Sequence, residues 1–509
     1  MKVLKKLITR ARIAVLLLVT QIVIIVPLFN RILLLLPVIA IISYAISILI
    51  VLFLIKKNEA AVYKVTWILV VMGLPISGGI LYLLFGNKRP AKKVAAKMEK
   101  HALVTGALRT ESSTSVPQSI PDERMAVLAK YIQQSSAYPA YANTQTKYYP
   151  MGDVKFEDML TELRTAEKFI FLEYFIISKG HMWNQILEIL TEKAKTGVDV
   201  RLIVDDLGSI SLFTRRYVAK LRESGIKVVR FNPIKPRVSL FMNYRNHRKI
   251  LVVDGHTAFT GGINIADEYI GLDDYLGVWK DNGIRLKGEA VWSFTLMFIE
   301  TWEVFCLPDE KITDYTAYKN TQTKKIESDG AIIPFGDSPL GKERLAENIY
   351  IDILSQAKHY AYIFTPYLII SEKMIYALQM AARRGVDVRI VTPGIADKKV
   401  VFRLTRSYYS YMHEAGIKVY EYSPGFLHAK GFVCDDEIAV VGTINLDYRS
   451  LYLHFECAAL LYGSTTVKDV KDDVLATIAE SREVLPVPKK RMFWNGLLDA
   501  VLHLFAPLL

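Results

Sequence analysis

The chain has 509 residues, 51% of them hydrophobic, and carries 64 Lys and Arg against 51 Asp and Glu, a formal net charge of +13. That length and apolar content exclude a disordered chain and allow more than one domain, and the positive balance points to an anionic partner: phosphate, nucleic acid or an acidic lipid surface. The cysteines Cys306, Cys434 and Cys457 lack metal-ligand spacing, which argues against a zinc site and a disulfide framework.

From the N-terminus, three apolar stretches come first, at 13–29, 32–55 and 65–85. Each approaches the ~20 residues that a helix needs to cross the hydrocarbon core. Lys2, Lys5, Lys6, Arg10 and Arg12 favour a cytoplasmic start, and "GNKRPAKK" after residue 85 favours the same face. Two spans satisfy both and three do not. Arg31 between the first two stretches leaves a hairpin or an interfacial first segment open. The Ser-, Thr- and Pro-rich stretch "LRTESSTSVPQSIPD" (108–122) reads as linker.

Beyond it, strand and helix patterns alternate. "KFIFLEYFII" (168–177) reads as a buried strand, "WNQILEILTEKAKTG" (183–197) as an amphipathic helix, and "VDVRLIVDD" (198–206) as a strand. Asp205 and Asp206 at its end read as a helix cap. The order then returns: "HYAYIFTPYLII" (359–370), "EKMIYALQMAARRG" (372–385), "VDVRIVTPG" (386–394). "LRESGIKVVRFNP" (221–233) matches "MHEAGIKVYEYSP" (412–424), so an α/β lobe is duplicated.

Each lobe closes on one pattern. "YRNHRKILVVDGHTAFTGGIN" (244–264) carries His247, Lys249, Asp254 and Asn264, and "FLHAKGFVCDDEIAVVGTIN" (426–445) carries His428, Lys430, Asp435 and Asn445. In a strand, residues i and i+2 share a face, so each His projects beside its Lys. Such a pair is a poor metal site and a good phosphate site. The ammonium neutralises a phosphate oxygen while the imidazole attacks phosphorus or moves a proton. Small residues at 261–262 and 442–443 let backbone approach a ligand, and the asparagine amides can donate to phosphate oxygens. Two such sites meeting across a pseudo-twofold axis would hold one phosphodiester between two histidines.

The pattern H-x-K-x4-D-x6-G-[GT]-x-N, present twice, resembles the phospholipase D superfamily signature, over about residues 125–485. "YRNHRKILVVDG", "FTGGINIADEY", "FTPYLI", "PGFLHAK", "VVGTINLDYRSLYLHFE" and the N-terminal "GGILYLLFGNKRP" resemble the bacterial cardiolipin synthases within it. The fold class this resemblance implies is α/β: two duplicated phospholipase D-like α/β lobes forming one catalytic unit, preceded by N-terminal transmembrane helices. It implies phosphatidyl transfer from one phosphatidylglycerol to another, giving cardiolipin and glycerol through a phosphohistidine, without metal or cofactor. The alternative on the same scaffold is a phospholipase D-type hydrolase or nuclease.

The resemblance also implies roles. His247 is assigned as nucleophile and His428 as acid, then base, with the reverse order open. Lys249, Lys430, Asn264 and Asn445 bind phosphate, and Asp254 and Asp435 complete the catalytic motif mainly through structural contacts. An acid behind each His fixes its tautomer: Glu456 in the second lobe, and in the first Asp281 rather than Glu268. One departure is "LHFE", with His454 where the family more usually has Asn.

The domain expectation is a membrane region at 1–95, a linker at 96–124, lobes at 125–320 and 321–485, and a basic, apolar membrane-interface tail at 486–509. The expected partners are phosphatidylglycerol and anionic membrane lipids, with no nucleic acid. The expected location is the bacterial cell membrane, multi-pass, with the lobes favoured on the cytoplasmic side.

Overall fold

Runs rich in Val, Ile and Phe, bounded by Gly, Asp and Asn turns, form the strands of the two lobes, as β-branched and aromatic side chains favour. The computed structural model describes residues 27–28, 30–31, 37–57, 61–86, 92–111, 120, 122–233, 244–320, 326, 330–341, 343–486 and 493–506. It divides into two compact units, Met1–Lys88 with Lys235–Asn243 and Ala500–Leu509, and Arg89–Ile234 with Tyr244–Asp499.

In the first unit, the helix Pro37–Lys56 is the one helix among the described residues long and apolar enough to cross a membrane. The apolar stretch expected as a span at 65–85 is instead broken into Ala61–Gly73 and Ser77–Phe85. Pro75 lacks an N–H, and Ile76 sits in the left-handed region at φ 64°, so the helix cannot continue. Trp67 packs between Tyr63 and Tyr82, ring centroids 6.3 and 5.3 Å away. A Cβ at Gly78 would lie 2.2 Å from the Val70 carbonyl oxygen, so this helical hairpin needs glycine there. The expected stretch at 13–29 lies almost wholly outside the described residues.

The second unit holds both lobes. In the first are β1 (Thr144–Tyr149), β2 (Phe169–Tyr174), β3 (Asp199–Asp205), β4 (Lys227–Phe231), β5 (Ile250–Val253), β6 (Thr257–Gly261), β7 (Val278–Lys280) and β8 (Gly283–Gly288). In the second are β9 (Ala331–Asp337), β10 (Tyr360–Phe364), β11 (Asp387–Pro393), β12 (Lys418–Tyr422), β13 (Gly425–Leu427), β14 (Gly431–Cys434), β15 (Ile438–Gly442), β16 (Glu456–Tyr462) and β17 (Ser481–Glu483). The first sheet runs β1-β8-β6-β5-β2-β3-β4. The second, read from β9, runs β9-β16-β15-β14-β10-β11-β12-β17, the same order with one edge strand added. The duplication in sequence is therefore a duplication of topology.

In each lobe three parallel strands lie beside an antiparallel group, and β2 pairs antiparallel with β5, Glu173 opposite Ile250. The residues just before β5 thus emerge at the C-terminal end of β2. β13 pairs in parallel with β7, from the other lobe.

The expected linker is corrected in part. Lys92–Glu111 is a helix, with Arg109 buried against Glu300 and the Leu108 carbonyl accepting from Trp292 Nε1 at 3.4 Å. A helix anchored by a buried arginine packs as an element; the residues described to its C-terminal side resume at 120. At the C-terminal end, Asp499 in the helix Phe493–Phe505 pairs with Arg403 at 2.8 Å.

Candidate active site

Each motif is an extended segment running into a strand. His247 and Lys249 precede β5, and His428 and Lys430 lie between β13 and β14. Neither segment is held by its own lobe alone. The His247 N–H donates to the Phe455 carbonyl at 2.9 Å, and the Phe455 N–H to the Arg245 carbonyl at 2.8 Å. On the other side the His428 N–H donates to the Lys280 carbonyl at 2.7 Å. The Lys430 N–H donates to Asn282 Oδ1 at 3.1 Å, and Asn282 Nδ2 returns a bond to the Lys430 carbonyl at 3.2 Å.

This stitching decides which carboxylate meets which imidazole. His247 Nδ1 lies 2.9 and 3.0 Å from the two carboxylate oxygens of Glu456, and His428 Nδ1 lies 2.6 Å from Asp281 Oδ2. The expected pairing was within each lobe; the observed pairing is exchanged between lobes. The physical reason is register: the interlobe backbone bonds place residues 454–456 beside 245–247, and 280–282 beside 428–430.

The variable small residue of the motif serves the carboxylate of its own lobe. A Cβ at Gly262 would lie 2.0 Å from Asp281 Oδ1, so glycine makes room for that side chain. At the equivalent place Thr443 Oγ1 donates to Glu456 Oε2 at 2.5 Å and accepts the Cys457 N–H at 3.0 Å.

His247, Lys249, His428, Lys430, Asp281 and Glu456 are all buried. Burial and the charges of Lys249, Lys430 and His428 lower His247 well below the usual imidazole range. Burial pushes Glu456 up to about 7, against the pull of Lys249. His247 is thereby held neutral at neutral pH, joined to Glu456 by a hydrogen bond at Nδ1. Burial and Lys430 bring His428 down to about 4, against Asp281. Burial raises Asp281, but Lys430 and His428 outweigh it and hold the carboxylate below its ordinary value. The ionised Asp281 carboxylate and Lys430 Nζ both lie within hydrogen-bond reach of His428 Nδ1, at 2.6 and 2.7 Å. Burial lowers Lys249 to about 7 and Lys430 to about 8. Each motif's charges bear on the other's, so the two segments form one electropositive site.

Asp254 and Asp435 lie elsewhere. The Asp254 carboxylate accepts the N–H groups of Glu167, Lys168 and Phe169, each at 2.8 Å. Asp435 accepts those of Lys358, His359 and Tyr360 at 2.7, 2.8 and 2.8 Å. Grouping them with catalytic residues is therefore corrected: four strand residues separate each from its lysine, a distance of about 16 Å at ~3.3 Å per residue. Both adopt positive φ, 49° and 53°, which Asp tolerates in tight turns.

Asn264 Oδ1 accepts from the Ile176 N–H at 3.1 Å and its Nδ2 donates to Tyr269 Oη at 2.7 Å. Asn445 Nδ2 donates to Asp447 Oδ2 at 3.3 Å. Each amide keeps a second N–H. Asp205, expected to cap a helix, is corrected: it accepts from Leu207 and Gly208 in a turn, the next helix being capped by Thr214, and it also accepts the Asn246 N–H at 3.1 Å. Asp206 pairs with Arg230 at 3.1 Å.

Several neighbours escaped the sequence reading. Phe175 lies edge-on to His247 at 5.2 Å, and Tyr269 and Trp279 flank His428 at 5.6 and 5.8 Å. Asn246 bonds Glu173, buried and raised to about 7 by that burial. The recurrence of aromatic residues just after β2 and within "VWKDN" was the available signal.

Comparison with known proteins finds relatives of both lobes. The family described as cardiolipin synthase, PLD-like domain, matches residues 159–287 and 350–476, one match per lobe. A phospholipase D-nuclease N-terminal family matches residues 45–87. A cardiolipin synthase of Alkalihalophilus pseudofirmus is 34% identical over 457 residues, covering 89% of this chain and 90% of that protein. An uncharacterized protein of Streptococcus mutans is 44% identical over 464 residues, covering 90% of this chain and 99% of the relative. The crystal structure of a phosphatidylserine synthase from Haemophilus influenzae shares the fold, with a TM-score of 0.57 at 15% identity, over 75% of this chain and all of that one. With both lobes matched and relatives above 30% identity along nearly its whole length, the chain belongs to the cardiolipin synthase family of phospholipase D-like proteins.

Proposed function

We propose that the protein is a cardiolipin synthase that exchanges one phosphodiester for another between two phosphatidylglycerol molecules. The observation that supports it most is the pair of buried His–Lys segments, each backed by a carboxylate of the opposite lobe, in one positive site. Neutral His247 attacks phosphorus through Nε2, forming a P–N bond as the P–O bond to glycerol breaks. His428, protonated beside ionised Asp281, gives its proton to the departing glycerol oxygen. The bound phosphate anion raises His428 from its depressed value and so favours this form. The terminal hydroxyl of the second phosphatidylglycerol then loses its proton to His428 and attacks phosphorus. The P–N bond breaks, His247 is restored and cardiolipin leaves. Lys249, Lys430 and the free N–H groups of Asn264 and Asn445 stabilise the equatorial oxygens.

We further infer that the protein lies in the bacterial membrane as a multi-pass chain, a reading that the apolar helix Pro37–Lys56 and the family match at 45–87 support. The test is incubation of purified full-length protein in detergent–lipid micelles with labelled phosphatidylglycerol. Cardiolipin and glycerol in equal amounts, lost in His247→Ala and His428→Ala, are expected. Phosphatidic acid without cardiolipin would show that water is the natural acceptor.

A further inference from the structure

The stretch before Glu456 carries a histidine that neither dyad uses. His454 follows the short helix Tyr448–Tyr452, and its neighbour Phe455 is bonded in both directions to the Arg245–His247 segment. The backbone therefore holds His454 beside His247, with ring centroids 5.6 Å apart and an interplanar angle of 44°. His454 Nδ1 lies 3.8 Å from Glu456 Oε1, beyond hydrogen-bond reach. The residue is 9% exposed, and neither ring nitrogen has a hydrogen-bond partner. Buried polar groups are nearly always paired, so an imidazole with both nitrogens unpaired beside a reacting centre awaits a ligand.

Two classes of ligand could complete it. His247, His454 and Glu456 bring three donor atoms within 4.8 Å of one another, a donor set that open zinc sites also use. A dication there would face the charges of Lys249 and Lys430, which already bear on His247, and would have to break the hydrogen bond between His247 and Glu456. The same field attracts an anion. Burial, with His247, Arg449, Lys249 and Arg245 around it, keeps His454 uncharged, so one nitrogen carries a proton to donate.

We propose that His454 is a substrate-positioning residue whose ring N–H donates to an oxygen of the phosphatidyl group carried on His247. This rests on His247 being the nucleophile, as above. It accounts for the unpaired nitrogens, which acquire a partner only when lipid is bound.

The test is a single turnover of the full-length protein in detergent micelles with radiolabelled phosphatidylglycerol, stopped by denaturation at neutral pH. Label on the chain, glycerol, cardiolipin and phosphatidic acid are each followed. The variants are His454→Ala, His454→Asn, whose amide reaches the place of Nδ1, and His454→Gln, whose amide reaches that of Nε2. Labelling of the chain is expected to slow roughly 10- to 100-fold in His454→Ala, the loss of one hydrogen bond to a charged group. One of the two amide variants recovers most of that rate. The ratio of cardiolipin to phosphatidic acid stays unchanged, and so does the thermal midpoint.

Wild-type labelling in His454→Ala overturns the proposal, as does equal loss in all three variants. A shift toward phosphatidic acid at an unchanged labelling rate would assign His454 to the acceptor alcohol instead. Stoichiometric Zn2+ binding by equilibrium dialysis that vanishes in His454→Ala, with labelling unaffected, would make it a metal ligand. If the wild type yields only phosphatidic acid, the transferase function fails, yet labelling still decides the role of His454. Glycerol release with no label on the chain would overturn the covalent mechanism and this proposal together.

Discussion

Asp281→Asn and Glu456→Gln should slow the enzyme for different reasons, and the choice of lipid donor separates them. Each carboxylate makes a short, fully buried bond to one imidazole, 2.6 Å for Asp281 to His428 and 2.9 Å for Glu456 to His247. Losing a hydrogen bond to a charged group costs about 1.5–3 kcal/mol, so each variant should lose about 10- to 150-fold in kcat/KM with phosphatidylglycerol. A phosphatidyl ester of p-nitrophenol needs no proton on its leaving group. With that donor, the burst of p-nitrophenolate bypasses His428 and reports the attack of His247 alone. Asp281→Asn should then recover most of its burst rate while Glu456→Gln stays slow. The opposite pattern would make His428, the partner of Asp281, the nucleophile and His247 the acid. Equal recovery in both would refute the division of labour between the two imidazoles.

Three further outcomes follow from particular contacts. Asp254→Ala and Asp435→Ala each leave three backbone N–H groups without their acceptor and keep a left-handed φ, so they should cost about 1–3 kcal/mol in urea unfolding while kcat/KM below the transition stays close to that of the parent; a greater effect on rate than on stability would place these residues in the chemistry. Gly262→Ala should lose activity on the scale of Asp281→Asn with little change in melting temperature, because the added Cβ would lie 2.0 Å from Asp281 Oδ1, and a fully active variant would show that Asp281 need not stay where it is. Inorganic tungstate should bind with proton uptake near pH 8, since Lys249 and Lys430 sit at about 7 and about 8 when free and rise beside an oxyanion; affinity should therefore fall as pH rises, and calorimetry in two buffers of different ionisation enthalpy showing proton release would contradict it.

The sequence by itself carried the duplicated lobe, the α/β class and the two His–Lys pairs, because each of these is a local pattern repeated in order along the chain. "VDVRLIVDD" and "VDVRIVTPG" became β3 and β11 at matching places in two sheets of the same order. The family resemblance also pointed to Glu456 and Asp281 as the acids behind the histidines. It could not assign them, because their partners are set by interlobe bonds such as His247 to Phe455 and His428 to Lys280, which link residues hundreds or more than a hundred positions apart. The apolar stretch at 65–85 shows the reverse limit: composition marked a span, while Pro75 and the positive φ of Ile76 broke it into two helices. Hydrophobic pattern and turn chemistry are local and legible in one dimension. The pairing of acid with base depends on which backbone lies beside which after the two lobes dock, and that only the tertiary structure decided.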